Sequence, residues 1–175
     1  MSEPDLIEDP LRRQRYRFQR RGEALEAEVW ADPGGDVPEH FHPSQEERFE
    51  VVAGRVEFRL AGKRTVVGPG ARLTALAGTA HAFENIGADT AHLIVTVEPA
   101  LSLREFLEDA AALARAGLYT RRGIPKGPRA ALELAELADR YSEITVMTRP
   151  PRVLQRLFIP PLARLQRYLK RRSQR

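Results

Sequence analysis

The sequence predicts a mainly β protein, a sandwich or barrel of short antiparallel strands, followed by a helical C-terminal part. Three observations predict it. Apolar residues alternate with charged ones at a period of two through much of the first hundred residues. There are 13 prolines and 12 glycines, and most of those before residue 90 stand between short apolar runs, where they mark tight turns. From Pro99 onward the apolar spacing changes to the three-and-four pattern of helices.

Residues 16–21 and 24–30 read as early strands, with Leu25, Ala27 and Val29 alternating against Glu26, Glu28 and Trp30. Asp32-Pro33-Gly34-Gly35 is a turn. In 46–52, Glu47, Phe49 and Val51 share one face and Glu46, Arg48 and Glu50 the other, the pattern of a half-buried strand. Gly54 ends it. Val56–Leu60, Thr65–Val67, Arg72–Leu76, Ala80–Asn85 and His92–Val97 follow as strands, separated by Ala61-Gly62-Lys63 and Gly68-Pro69-Gly70. Ser102 and Glu105 fit a capping box that opens a helix running to about Ala116, with Gly117 as its stop. Arg129–Tyr141 is a second amphipathic helix. Pro150-Pro151 and Pro160-Pro161 are expected to bracket a short helical piece, and Leu162–Lys170 to form the last one. The expected division is 1–100 as the barrel with its N-terminal strand and 101–175 as a helical, basic extension.

Charge is unevenly spread. Nine of the 28 basic side chains lie in 149–175, a segment without a single acidic residue. The rest of the chain carries 19 basic and 24 acidic groups. The absence of cysteine excludes disulfides, thiolate metal sites and cysteine nucleophiles. Met1–Pro10 is acidic, with no apolar leader, and no run of about 18 apolar residues exists, so a cytoplasmic location is expected.

His40 and His42 are two apart, which on an extended strand puts both rings on one face about 6.5–7 Å apart at the backbone. Imidazoles so placed can lean to one ion at about 2.0–2.1 Å. A carboxylate is available from Glu46 or Glu47. The alternation places Glu47 on the apolar face with Phe49 and Val51, so Glu47 is assigned and Glu46 is the alternative. A cation would offset the cost of burying that carboxylate. His81, after the turn Ala77-Gly78-Thr79-Ala80, can supply a fourth donor from the far side. His92 is read as structural.

These spacings resemble the cupin superfamily. Gly34, five residues, His40-Phe41-His42, four residues, Glu47, six residues and Gly54 look like its first motif. Gly70, five residues, Leu76-Ala77-Gly78, two residues, His81, three residues and Asn85 look like its second, with Leu76 where proline is usual. The resemblance covers roughly 24–98. It implies an antiparallel jelly-roll barrel, one divalent transition metal ion (Fe, Mn, Ni, Co or Zn) on His40, His42, Glu47 and His81, and a homodimer, with strand Tyr16–Arg21 as a candidate for exchange.

Cupins carry many reactions, so the surroundings must narrow the choice. Phe49, Val51, Val56, Phe58 and Phe83 are expected to line an apolar pocket. Arg72 is included there as a candidate partner for an anionic substrate, with a surface arginine at a strand start as the favoured reading; Asn85 is read as turn-stabilising. An apolar pocket without its own general acid favours metal-centred chemistry, so the expectation is an oxygenase-like enzyme, or an isomerase, acting on a small organic molecule. The alternative is a non-enzymatic small-molecule sensor whose basic tail contacts a partner or a membrane surface. For that tail, packing of its apolar stripe on the barrel or a dimer mate is favoured over membrane contact, and no nucleic acid is expected.

Overall fold

The structure, a computed structural model, describes residues 6–173. Its strands are β1 (Ile7–Asp9), β2 (Gln14–Arg21), β3 (Ala24–Ala31), β4 (Asp36–Phe41), β5 (Glu46–Ala53), β6 (Val56–Leu60), β7 (Lys63–Val67), β8 (Arg72–Ala75), β9 (His81–Asn85), β10 (Ala91–Glu98) and β11 (Val146–Met147). Its helices are α1 (Leu103–Arg115), α2 (Pro128–Arg140) and α3 (Arg152–Ser173). The fold is mainly β with a helical C-terminal part, as the alternation predicts.

Two antiparallel sheets form, in the orders β1-β2-β3-β10-β5-β8 and β11-β4-β9-β6-β7. From β3 onward the chain keeps crossing between them, so β4, β6, β7 and β9 face β3, β5, β8 and β10. The strands at the middle of the six-stranded sheet turn an apolar set inward. Leu25, Ala27, Val29 and Ala31 of β3, Phe49 and Val51 of β5, and Ala91, Leu93, Val95 and Val97 of β10 are all buried. A one-residue slip would turn these side chains to solvent, so burial itself fixes the register. At the turn after β5, Gly54 has φ +91°, and a Cβ there would meet Ala91 Cα at 2.6 Å. Only glycine fits where that turn crosses β10.

Two expectations need correction, and one strand lies beyond what the alternation shows. A short strand, β1, precedes β2 and pairs with its first residues, from Asp9↔Gln14 to Ile7↔Tyr16; three residues are too few for periodicity to reveal. β2 itself pairs along its length with β3 of its own chain. Ser102 is the N-cap of α1 but makes no side-chain cap hydrogen bond, so the capping box is not formed. Instead Gln45, fully buried on the opposite side, donates from Nε2 to the carbonyls of Pro99 and Ala100 at 2.8 and 3.1 Å and pins the approach to the helix. Finally, Pro160 and Pro161 do not divide two helices but lie inside α3. Proline removes a backbone donor and costs about 3 kcal/mol inside a helix, and α3 is continuous because one face packs on α2. There Ala163 and Gln166 are buried, Arg167 pairs with Asp139 at 2.9 Å, and Lys170 with Glu133 and Glu136 at 2.9 and 2.6 Å.

The helical part is joined to the barrel. β11 adds to the edge of β4 with Val146 opposite Phe41 and Met147 opposite His40. Tyr141, Ile144, Leu103 and Ala100 belong to the same buried cluster as the barrel interior.

Candidate metal centre

Both sheets send donors to one end of the barrel. His40 and His81 are register partners on β4 and β9. His42 follows one residue after β4, and Glu47 stands near the start of β5 on the other sheet. All four are buried, with at most 9% of their surface exposed. One donor atom from each, a ring nitrogen or a carboxylate oxygen, lies within 4.8 Å of every other. Donors bound to one ion at about 2.1 Å stand roughly 3.0 Å apart at right angles and roughly 3.4 Å at the tetrahedral angle, near the shorter separations found here.

The three rings are held alike. His40 Nδ1 lies 2.8 Å from the Pro38 carbonyl, His42 Nδ1 2.6 Å from the Ile144 carbonyl, and His81 Nδ1 2.8 Å from the Thr79 carbonyl. A carbonyl only accepts, so each Nδ1 is the protonated nitrogen and donates. Each Nε2 is left with a lone pair turned to the common centre, the arrangement that orients metal-bound imidazoles. His40 and His42 Nε2 are 3.3 Å apart. Glu47 Oε2 lies 3.1 Å from His42 Nε2 and 2.8 Å from His81 Nε2. The second approach does not make a hydrogen bond, so His81 Nε2 is a buried polar atom without a partner. A buried atom left so costs free energy unless something else binds it. Three nitrogen lone pairs and one carboxylate around a point fit a divalent transition ion.

The electrostatics agree. Burial opposes ionisation of Glu47, but the imidazoles of His42 and His81 beside it outweigh burial and hold the carboxyl well below the usual range. Burial, then the neighbouring rings His81 and His42, lower His40 to about 3, keeping it neutral. His42 moves the other way: burial pulls it down, but Glu47 outweighs burial and raises it. The cluster thus holds an ionised carboxylate beside a neutral, lone-pair-bearing His40.

Phe49, Phe58 and Phe83 are buried around this centre, with the Phe49 ring centroid 5.9 Å from that of His81 and 5.1 Å from that of Phe58. Val51 and Val56 are buried further along their strands. Arg72 does not join them. Its side chain is 76% exposed and its guanidinium pairs with Glu50 at 3.1 Å on the outer face, because β8 pairs with β5 in the register that puts Arg72 opposite Glu50. Asn85 is a turn residue: its Nδ2 donates to the Ala31 and Asp89 carbonyls and its Oδ1 accepts from Gly87 N. His92 lies outside, stacked on Trp30 and 2.9 Å from Glu28. Glu46 points outward, paired with Arg48. The Ile144 carbonyl escaped sequence reasoning, because any residue type supplies a backbone carbonyl.

Residues 28–97 match the family model Cupin_2, described as a cupin domain. The barrel is a cupin domain. Solved structures similar to it include an RmlC-like cupin from Shewanella frigidimarina, 18% identical, covering 57% of this chain and 86% of that one with a TM-score of 0.51. KdgF from Halomonas sp. is 21% identical over 54% of this chain and 86% of that one, TM-score 0.49. A predicted oxalate decarboxylase from Thermotoga maritima is 21% identical over 54% and 90%, TM-score 0.48. At 18% identity the likeness to the first of these is one of fold alone. No curated protein matches the chain. Among the described residues no helix is long and apolar enough to cross a membrane.

Proposed function

We propose that this cupin binds one divalent transition metal through Nε2 of His40, His42 and His81 and the Glu47 carboxylate, and is a metal-dependent, oxygenase-like enzyme for a small organic molecule. The observation that carries the proposal is the shared tautomer: three Nδ1 atoms tied to backbone carbonyls leave three Nε2 atoms facing one ionised carboxylate. A bound ion would supply Lewis acidity toward a substrate oxygen, or reactivity toward O₂. The protein's own residues fix the donors before any ion arrives, keep His40 unprotonated, and surround the centre with Phe49, Phe58 and Phe83. An apolar wall excludes water from a reacting molecule and strengthens every electrostatic contact inside.

The test is elemental analysis of protein purified without added metal, followed by anaerobic Fe(II) reconstitution and O₂-uptake measurements across small enols, diols and carboxylates. About one equivalent of metal and substrate-dependent O₂ consumption are expected. A metal-loaded protein that consumes no O₂ and alters none of these compounds would sink the enzymatic part while leaving the metal site standing.

A second reading has its own support. The segment following α2 closes on the centre: Ile144 accepts from His42, and Thr148 N and Oγ1 bond Glu39. A barrel whose donor is held by the C-terminal segment suits a sensor that reports occupancy to its tail. Metal-dependent protection of residues 141–150 from hydrogen exchange, without turnover, would favour it.

A further inference from the structure

We propose that α3 is an interfacial anchor that lays its outward apolar face on an anionic lipid bilayer. The helix has two faces, and they have opposite partners. Ala163, Gln166, Arg167 and Lys170 recur at the three-and-four spacing of one stripe and meet α2. Leu154, Leu157, Phe158, Pro161, Leu165, Tyr168 and Leu169 recur at the same spacing half a turn away. Their six large side chains other than the proline are 43–61% exposed, and Val153 beside them 76%. The expected packing of this stripe on the barrel is therefore not found, because the ion pairs with α2 fix the other face inward.

An apolar strip of this length on the outside of a chain marks a binding surface. Charge decides what covers it. Arg164 and Arg171 lie along one edge of the strip and Arg172 within it, Arg149 and Arg156 stand near its N-terminal end, none of the five forms an ion pair among the described residues, and residues 149–175 contain no acid. A second α3 laid against this one would bring two cationic clusters together. An anionic headgroup layer would instead pair with the flanking arginines while the leucines and Phe158 enter the acyl boundary. α3 is too charged to span a bilayer, and an in-plane position needs no spanning.

Co-sedimentation of the full chain with vesicles tests this, using phosphatidylcholine alone and phosphatidylcholine with 30% phosphatidylglycerol, both at low and at 0.5 M salt. Binding to the anionic vesicles, at least about tenfold stronger than to neutral ones and weakened by salt, is expected. Leu157→Glu with Phe158→Glu, and separately Arg164→Glu with Arg171→Glu and Arg172→Glu, should each weaken it by about tenfold or more, with the unfolding midpoint of the barrel unchanged. The wild-type comparison of the two vesicles stands even if a variant does not fold. Equal binding to both vesicles, or none by folded protein, overturns the proposal. So does a homodimer that the Leu157→Glu, Phe158→Glu chain loses while wild-type vesicle binding is absent, an outcome that assigns the face to a second copy.

Discussion

Each face of the six-stranded sheet carries a carboxylate paired with an imidazole, on the inside one from the opposite sheet and on the outside one from the same sheet. Inside, Glu47 Oε2 lies 2.8 Å from His81 Nε2; outside, Glu28 Oε1 lies 2.9 Å from His92 Nε2. Distance does not distinguish them. The inner groups are nearly sealed, with side-chain exposures of 4% and 11%, while the outer pair keeps 24% and 23%. The inner ring has its other nitrogen tied to a carbonyl and two more imidazoles facing the same carboxylate. The outer ring stacks flat on Trp30, with Arg17 over the same indole. An isolated pair in contact with water is a minor surface contact, whereas a converging, buried set is a site.

The largest expected difference is in metal content. Glu47→Gln removes the only anionic donor of the cluster, and metal retained after dialysis is expected to fall by more than about tenfold, since even residues that merely orient metal ligands cost about 10–100-fold. Glu28→Gln should leave the content unchanged. Elemental analysis of both variants side by side decides it, and equal metal in both would abolish the distinction between the two faces.

Next in size is packing. Phe49, 4% exposed, fills the interior between Phe58 and Phe83. Phe49→Ala is expected to cost about 3–5 kcal/mol. Its neighbour Arg48, on the other face, pairs with Glu46 and Glu98 in solvent, so Arg48→Ala should cost less than about 1 kcal/mol. Denaturant unfolding of the two variants measures the contrast. A loss at Arg48 equal to that at Phe49 would mean the outer ion pairs are more than surface contacts.

Alternation made this sheet legible. The period of two in 46–52 chose Glu47 over Glu46 without a structure, because on a strand inward and outward are the only options and one of them was apolar. The same residues made the donor set readable from spacing. α3 shows where such reading stops. Its apolar stripe was as clear as that of β5, yet periodicity says only that a face exists, not what covers it. The choice was made by Asp139, Glu133 and Glu136 on another helix, a pairing across 28 to 37 residues that no local pattern encodes. Arg72 stood open between pocket and surface for a related reason. At a strand start its face depends on the register with β5, which sets it opposite Glu50.

The smallest effect isolates what the inner imidazoles do for Glu47. Asp9 is another buried carboxyl, 5% exposed, accepting from the backbone N–H of Leu11 and Arg12 but without an imidazole partner. Burial raises its pKa, with Arg12 opposing only in part, whereas Glu47, buried too, is lowered. A raised folded pKa means that the protonated form suits the fold: its stabilisation is present below the ordinary value of 3.8 and is lost as pH rises through the raised one. Asn keeps the accepting oxygen and stays neutral at every pH. Asp9→Asn is therefore expected to raise the unfolding midpoint at pH 7, with the gain closing as pH falls below about 4. If Asp9→Asn instead lowers the midpoint at pH 7, the Arg12 charge outweighs burial. Imidazoles would then not be needed to keep a buried carboxylate ionised in this fold, and the contrast between Glu47 and an ordinary buried acid would disappear.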